Sequence, residues 1–488
     1  MIQNLPIELI LAVLQVTPAI DIISIRKTCR LIRDASYQKS LWISVLLSVC
    51  IEHDMLVGGN GFMGIPLARL EHAATAPARF LALVPEQPFI GDVDEEGTEP
   101  YFLPIRSTLF LSDPADLDMM DPQSALLVRG GRFLVVACRG HLRLWDLWRD
   151  HADSDPVTSQ VVIPLPDDSD LQCEDYWFGN GGQLFVALSV HDNARPFVYA
   201  ALLVYGINTH AVTPVFKKVN ELRLAGRSRL RYRHRRGTRI AYTRAGAQEL
   251  AGVWDYESGN GLMWRAEGPG ASHITLTSSA VICNSRAAID IYKLPPGASP
   301  MRIDENVVPW RRLPRCSAQY AWYHTPRRDL RSDEPALSFW RDKQLMHTFA
   351  STPKTEISVV RLPLPRAYNM NSRGTHIGTS LVSTHWHIPD LGETALRTVL
   401  AAFVPQPQTT AEEQDAESNW SCSAAGSNCA HLPSEIGRTV GLLNNVDVDT
   451  TRMQLDPTSG TLVYRSRSDF SKIYVTRYLN EPATLHRS

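Results

Sequence analysis

Apolar residues near the start of the chain recur with the spacing of short helices. In the first such segment they stand three or four residues apart, at Leu5, Leu9, Ile10, Val13 and Leu14. This spacing predicts an amphipathic helix. Pro6 suits its first turn, because the N–H groups there have no helical partners, and Glu8 complements the positive end of the helix dipole.

A second helical segment begins near Thr17 and Pro18, where a capping side chain precedes a first-turn proline. Beyond it, one face carries the apolar side chains of Ile22, Ile25, Cys29 and Ile32. The pattern predicts a unit of three short helices, too small to bury all of its apolar residues. Some of its apolar surface is therefore available to a partner.

The order of residues in this unit resembles a known family. It reads Leu5-Pro6-Ile7-Glu8-Leu9, then Ile20-Asp21-Ile22-Ile23, Cys29-Arg30 and Leu41-Trp42. Over about residues 3–47 this resembles an F-box, with one departure at Thr28, where the family usually has an aliphatic residue. The alternative is a helical unit that only caps a larger domain.

The resemblance implies a partner and a surface. F-boxes bind the Skp-type adaptor of cullin-RING (SCF-type) ubiquitin ligases and present a substrate held by the rest of the chain. The residues expected to contact the adaptor are Leu5, Pro6, Leu9, Ile20, Ile22, Ile25, Cys29 and Trp42.

From about residue 101 the chain changes to short apolar runs separated by turn residues, the pattern of β-strands. The clearest pair is 133–137 and 141–147, each preceded by glycine. Comparable runs follow at 201–205, 250–255, 288–292, 357–360, 396–403 and 472–475, the last after a turn-rich hairpin at 455–464.

These runs lie roughly forty to seventy residues apart, which predicts a β-propeller with decorated blades. Trp145-Asp146 and Trp254-Asp255 supply the dipeptide typical of WD repeats. The region resembles the degenerate WD-like propellers that follow F-boxes in fungal proteins. The predicted fold is thus a small all-α F-box followed by an all-β propeller of about seven blades, counted to within one blade at best. A β-sandwich is the alternative.

The predicted domains are an F-box at 1–50, a helical and acidic linker at 51–100, and the propeller at 101–488. Within the linker, residues 91–99 are acidic and lack an apolar period. Residues 404–430 read as a long mobile loop inside the propeller, rich in proline, glutamine, acidic residues and serine.

Composition describes an ordinary soluble protein. Apolar residues make up 44%, and 49 basic against 51 acidic side chains leave the charge near neutral, so bulk charge points neither to nucleic acid nor to a membrane. The eight cysteines are scattered without a disulfide pattern. No signal peptide or membrane span is expected, which favours the cytoplasm or the nucleus.

Motifs that would indicate other chemistry are weak. Residues 59–64 match the dinucleotide fingerprint on paper, yet a predicted helix precedes them where that motif needs a strand. Cys422, Cys429 and His431 lack the spacing of a zinc site, and His385 with His387 lacks further ligands nearby. No nucleophile elbow, Walker loop or paired catalytic carboxylates occur. We therefore predict no enzyme activity, cofactor or metal.

The strongest local signal after the N-terminus is a series of arginines at alternate positions: Arg227, Arg229, Arg231, Arg233 and Arg235. An extended backbone would place all five on one face. Such a row suits an acidic or phosphorylated client, and nucleic-acid backbone is a further option with Tyr232 available for stacking. The alternative is a solvated strand whose arginines pair with acids of adjacent blades.

Together these patterns predict a substrate-recognition adaptor that binds a Skp-type adaptor through the F-box and a client protein through the propeller. The competing hypotheses are a protein-interaction scaffold outside any ligase and, less favoured, a nucleic-acid-binding propeller. The identity of the client and its modification state are not encoded in any recognisable motif.

Overall fold

The computed structural model describes 5–53, 55, 62–83, 105–111, 122–138, 140–148, 157–164, 169–179, 183–192, 199–209, 211, 214–225, 229–245, 250–265, 273–276, 280–284, 288–294, 454–456, 458–465 and 472–480. It also describes the backbone of ten strands between 302 and 444. The predicted acidic segment 91–99 and the predicted loop 404–430 lie outside the described residues.

Five helices occupy the described part of the N-terminal region: α1 (Ile7–Gln15), α2 (Ala19–Ile25), α3 (Arg30–Ser36), α4 (Lys39–Glu52) and α5 (Leu67–Ala82). The predicted unit of three short helices corresponds to α1 to α3, and α4 and α5 are two longer helices beyond it. Leu70 of α5 belongs to the same apolar core as Ile22 and Trp42. The apolar core of the helices therefore includes α5, which lies within the segment predicted as a helical linker.

The helix starts differ from the prediction. Pro6 precedes α1 and accepts the N–H groups of Leu9 and Ile10 at 3.1 and 3.2 Å, and Pro18 takes the same place before α2. Thr17 caps no helix start, because its hydroxyl donates to the Val13 carbonyl at 2.8 Å.

The predicted single face from Ile22 to Ile32 is also wrong in detail. The chain leaves the helix after α2, and Cys29 is extended (φ −154°, ψ 157°) before α3 begins. Ile22 and Ile32 therefore enter the core from two different helices rather than from successive turns of one.

One group of side chains ties four of these helices together. The Arg26 guanidinium donates to the Ser36 hydroxyl at 2.8 Å and to both Glu71 oxygens at 2.9 and 3.1 Å. It also lies over two aromatic rings, 4.8 Å from the Tyr37 centroid and 5.6 Å from the Trp42 centroid. The Trp42 indole N–H donates to the Ser36 carbonyl at 2.7 Å. We call Arg26, Ser36, Trp42 and Glu71 the Arg26 cluster.

The β-region contains seven sheets among the residues described. The first strand in the chain is β1 (Ser107–Leu111). Sheet 1 has β2 (Pro122–Leu127), β3 (Phe133–Cys138), β4 (His141–Asp146) and β5 (Val157–Val162), and sheet 2 has β6 (Ser169–Phe178), β7 (Gln183–Asp192), β8 (Tyr199–Asn208) and β9 (Phe216–Ala225).

Sheet 3 has β10 (Arg229–Arg236), β11 (Arg239–Ala245), β12 (Leu250–Asp255) and β13 (Gly261–Arg265). Sheet 4 has β14 (His273–Leu276), β15 (Ala280–Asn284), β16 (Ala288–Lys293) and, beyond β17 (Arg302–Ile303), β18 (Arg311–Pro314). β17 adds to the outer edge of sheet 3 in parallel with β13.

Sheet 5 has β19 (Tyr320–Tyr323), β20 (Ala336–Arg341), β21 (Gln344–Phe349) and β22 (Ile357–Arg361), and sheet 6 has β23 (His376–Ile377), β24 (Val382–Pro389), β25 (Leu396–Phe403) and β26 (Leu442–Asn444). Sheet 7 has β27 (Gln454–Asp456), β28 (Thr461–Arg465) and β29 (Ile473–Arg477), and β1 is its fourth strand. The predicted strand runs all fall on observed strands.

Sheets 7, 1, 2, 3 and 4 pack face to face in that order. Alternate side chains of β3 point in opposite directions, so Val135 packs against sheet 2 while Val136 packs against sheet 7. Two further apolar layers join sheet 2 to sheet 3 and sheet 3 to sheet 4. A sheet buried on both faces explains why β3 reads as a continuous apolar run rather than an alternating one.

The two Trp-Asp pairs occupy equivalent places. Trp145 lies opposite Leu134 near the end of the third strand of sheet 1, and Trp254 lies opposite Ile240 near the end of the third strand of sheet 3. Both indoles are fully buried, and in sheet 4 the buried Tyr292 takes the corresponding register position. The repeat predicted from the dipeptides is therefore present in the register of the sheets.

The helical unit sits on turns of sheets 1 and 7. Phe80 of α5 contacts the Tyr478 ring, with centroids 6.1 Å apart, and Trp148 after β4 packs against the helical core. Gly460, in the turn between β27 and β28, approaches Phe80 so closely that a Cβ there would lie 2.9 Å from the ring. Helices and sheets thus meet through close apolar contacts.

Gly460→Ala tests the close contact between Gly460 and Phe80. Gly460 (φ +62°) and Gly237 (φ +59°) share a left-handed backbone, but only at Gly460 would an added Cβ meet neighbours among the described residues. We expect Gly237→Ala to cost about 1 kcal/mol for the backbone conformation alone. Gly460→Ala should cost roughly 1–3 kcal/mol more for the overpacking against Phe80. Thermal unfolding of both variants measures the difference, and equal losses would contradict the described contact.

Candidate functional site

An unusual apolar surface lies on the outside of α1. Ile10 and Leu14 face the core, whereas Leu9 and Val13 are 52% and 57% exposed. The exposed apolar residues follow one another from the start of α1 into α2, and we call Leu5, Leu9, Val13, Val16 and Ile20 the outer apolar face. A continuous run of this kind marks an interaction surface more often than an ordinary solvent-facing helix does.

The predicted adaptor-contact residues divide into three groups in the structure. Leu5, Pro6, Leu9 and Ile20 are exposed, and Ile25 and Cys29 are half-buried. Ile22 and Trp42 are fully buried. Their predicted place on a contact surface is wrong, because Ile22 fills the helical core and Trp42 belongs to the Arg26 cluster.

Two exposed members of the outer apolar face, Val13 and Val16, were not among the predicted contact residues. Val16 is 84% exposed. The signal for Val13 was present, since it continues the four-residue spacing of Leu5 and Leu9. Which of two neighbouring stripes faces outward cannot be read from spacing alone, because Ile10 and Leu14 show the same periodicity.

The arginine series lies on β10, but not on one face. A β-bulge between Tyr232 and His234 inserts one residue, so Arg231 pairs with Thr243 while Arg235 pairs with Ile240. Because Thr243 and Ile240 point to opposite faces of β11, Arg231 and Arg235 do so on β10. The prediction of five arginines on one face is therefore wrong. Arg227 and the Arg229 side chain lie outside what the structure describes.

The described arginines have different surroundings. Arg231 is exposed. Arg233 donates to the Thr243 hydroxyl at 2.9 Å, and Arg235 lies over the Trp177 ring at 4.5 Å while donating to the Gly237 carbonyl at 2.7 Å. Among these three, Arg231 is the member positioned to meet an external acidic group. The client-binding role of Arg227, Arg229, Arg231, Arg233 and Arg235 stays a prediction.

An acidic pair on the neighbouring strand faces this arginine segment. β6 also has a bulge, at Glu174, and Asp175 accepts a hydrogen bond from the Tyr232 hydroxyl. Burial raises the pKa of Glu174 to about 7, while the hydrogen bond from Ser189 (2.5 Å) and then the charge of Arg233 lower it. Burial likewise raises the pKa of Asp175, against the Tyr232 hydrogen bond. This arrangement favours the alternative in which acids of an adjacent sheet balance the arginines.

The weaker motifs find no support among the described residues. Helix α4, rather than a strand, precedes residues 59–64, as predicted, and the first half of that glycine-rich motif, 59–61, lies outside the described part. His385 and His387 share one face of β24, and Cys422, Cys429 and His431 lie outside the described residues. In the part of the chain described, no three His, Cys, Asp or Glu side chains converge as metal ligands.

Among the residues that the structure describes, no helix has both the length and the apolar character that crossing a bilayer would require.

Comparison with known domains assigns the N-terminal unit. The model of the F-box domain matches residues 2–44, which span α1 to α3 and the start of α4. The chain thus carries an F-box domain, and F-box domains bind Skp-type adaptors. No curated protein matches the chain by sequence.

Solved structures similar to the chain include the WD40 domain of SCAP from fission yeast, with 7% identity over 74% of this chain and 85% of that one and a TM-score of 0.35. The Dos1 propeller has 10% identity over 72% and 76%, with a TM-score of 0.32. Kluyveromyces lactis Hsv2 has 13% identity over 63% and 74%, with a TM-score of 0.31.

The stability losses of Trp42→Ala and Leu9→Ala should distinguish a side chain in the core from one on the surface. Trp42 is fully buried and hydrogen-bonded, so its truncation should destabilise the helical unit by about 3–5 kcal/mol. Leu9 is half exposed, and its truncation should change stability by less than about 1 kcal/mol. Thermal unfolding followed by far-UV circular dichroism measures both. A large loss for Leu9→Ala would place that side chain in the core.

Glu174→Gln should alter the pH dependence of stability. The folded carboxyl keeps its proton up to about pH 7, whereas the unfolded group loses it near the ordinary value of 4.5. The folded state therefore binds more protons in this window, and stability falls as the pH rises through it. Removing the titration should make the variant less sensitive between pH 5 and pH 8, by up to about 3 kcal/mol.

Melting temperatures of parent and variant at the two pH values measure this effect. Glu257→Gln, at an exposed position on the turn after β12, is the matched control and should keep the parent profile. A Glu174→Gln profile that coincides with that of the parent would show that this carboxyl does not titrate in the window.

Proposed function

We propose that the chain is a substrate-recognition adaptor of an SCF-type ubiquitin ligase. In this role the F-box binds the Skp-type adaptor, and the β-region holds a client protein. The observation that carries the proposal is the outer apolar face: the matched F-box leaves a run of apolar side chains exposed while its inner positions fill a complete core.

The β-region supports the second half of the proposal. Seven sheets of four or five strands, the face-to-face packing of sheets 7, 1, 2, 3 and 4, and the pairing of β1 with β29 support a closed seven-bladed propeller. We propose this architecture for residues 105–480. Propellers present many loops on a rigid frame, which suits recognition of a protein client.

In such a ligase the chain would contribute proximity rather than bond-making groups. A client held on the β-region would keep its acceptor lysine at a high effective concentration near the charged ubiquitin-conjugating enzyme. The close seat of α5 on sheets 1 and 7 supports this role, because a fixed spacing between adaptor and client favours transfer. The proposed location is the cytoplasm or the nucleus, where these ligases act.

Leu9→Asp tests adaptor binding. Placing a carboxylate in the centre of the outer apolar face should weaken binding of the Skp-type adaptor at least tenfold, because the charge would have to be buried unpaired in the complex. The measurement is co-purification of the full chain with the adaptor, followed by titration calorimetry of the purified pair.

Val162→Asp is the matched control, since Val162 on β5 is 64% exposed and lies on a sheet. It introduces the same charge at an apolar surface position and should leave adaptor binding unchanged. Adaptor binding by Leu9→Asp equal to that of the control would refute the proposed surface. Failure of the parent chain itself to bind the adaptor would instead favour the scaffold hypothesis.

A further inference from the structure

A small cavity lies where α5 meets the sheets. Arg69 and His72 of α5 line one side, and Thr458, Ser459 and Arg477 of sheet 7 line the other. Its volume is about 40 Å³, and a single water requires roughly 10–15 Å³ on that measure. The cavity therefore has room for a few waters or for one small ion.

Basic side chains from both parts of the molecule converge on this cavity. Arg69 and His72 come from the helical unit, and Arg477 comes from the last strand of sheet 7. Arg79 is next to them, with a guanidinium nitrogen 3.1 Å from Nδ1 of His72. Among the described residues that line the cavity, none carries a carboxylate.

The titration of these groups reflects a positive potential. Burial and then the charges of Arg79, Arg477 and Arg69 lower the pKa of His72 to about 4. Burial, followed by the charge of Arg69, lowers the pKa of Arg477 to about 10. The neighbouring arginine charges thus make His72 and Arg477 harder to protonate, and a bound negative charge would oppose that effect on both.

The nearby carboxylate of Asp456 is occupied by its own turn. Its oxygens accept the Gly130 N–H at 2.9 Å and the hydroxyls of Thr458 and Ser459 at 2.6 Å each. These bonds shape the turn between β27 and β28 and keep Asp456 behind the hydroxyls that line the cavity. Asp456 is therefore committed to the turn rather than to the arginines of α5.

We propose that this cavity binds a tetrahedral oxyanion of the phosphate type, which holds the helical unit on the sheets. Guanidinium groups match phosphate oxygens in charge and geometry, and they reach this cavity from both sides. An anion there contacts α5 and sheet 7 together. It stabilises the packing of the helices against the sheets and does not touch the outer apolar face. The inference therefore does not depend on the proposed function.

The test uses the full chain and inorganic phosphate. At constant ionic strength, millimolar phosphate should raise the melting temperature relative to chloride, because a ligand that binds only the folded state stabilises it. Titration calorimetry should give a matching affinity. An unchanged melting temperature together with no binding heat would overturn the proposal.

Three variants separate a specific site from a general salt effect. Arg69→Met should weaken phosphate affinity at least tenfold, Arg69→Lys should retain part of it, and Arg33→Met, at an exposed position on α3, should behave like the parent. An equal phosphate response in Arg69→Met and Arg33→Met would overturn the site. Arg69 is chosen over Arg477 because Arg477 also donates to the Leu147 carbonyl at 2.8 Å, so its loss would affect folding.

Two further measurements define the ligand. Phosphate should raise the pKa of His72. NMR measures this pKa, and the His72→Gln variant assigns the His72 signal. An unchanged His72 pKa would contradict binding at this cavity. A phosphomonoester such as glucose 6-phosphate provides the second arm. Tighter binding of the monoester would identify a phosphorylated small molecule as the source of the anion, and tighter binding of inorganic phosphate would identify the free ion.

Discussion

The N-terminal unit depends on a single guanidinium. Arg26 bonds to Ser36 of α3 and Glu71 of α5 and lies over Trp42 of α4, so α2 to α5 are joined at one point. Breaking one partner of such a half-buried pair leaves a charge in an apolar surrounding, which costs more than the pair contributes when complete. With Trp42 held inward by the Ser36 carbonyl, the inner positions of the unit are filled, and the apolar side chains of α1 that remain must face solvent.

Sheets 1, 2 and 3 follow a different rule, in which apolar layers cover both faces of each sheet. Apolar layers between sheets 7, 1, 2, 3 and 4 bury both sides of the central strands. Polar groups inside such a stack must be paired, and Glu174, Asp175, Ser189 and Tyr232 show how this is done between sheets 2 and 3. The two bulges turn these side chains toward each other, so the local irregularities of β6 and β10 serve the contact between sheets.

Much of this architecture could be predicted from the sequence, and the errors have physical causes. The Leu-Pro-x-Glu-Leu order identified the F-box, and the strand runs with two Trp-Asp pairs located the repeated sheets, because periodicity and turn residues are local signals. The arginine face failed because a one-residue bulge reverses every later side chain and leaves no mark in the sequence. The assignment of Ile22 and Trp42 to the surface failed because spacing cannot tell an inward stripe from an outward one. The cavity at α5 could not be predicted, because local sequence patterns do not show that Arg69 and Arg477, which are 408 positions apart, come together.

The pairing of β1 with β29 has a consequence for how the chain is made. β1 begins at Ser107 and its partner β29 ends at Arg477. The two strands can therefore pair only after the more than 300 residues between them have been synthesised. Contacts so distant in sequence close slowly, and exposed edges are prone to wrong pairing meanwhile. Tyr478 and Gly460, which lie against Phe80 of α5, also come late in the sequence. A polypeptide that lacked β27 to β29 would have its F-box surface but not the residues against which α5 packs, so these strands complete the contact between helices and sheets.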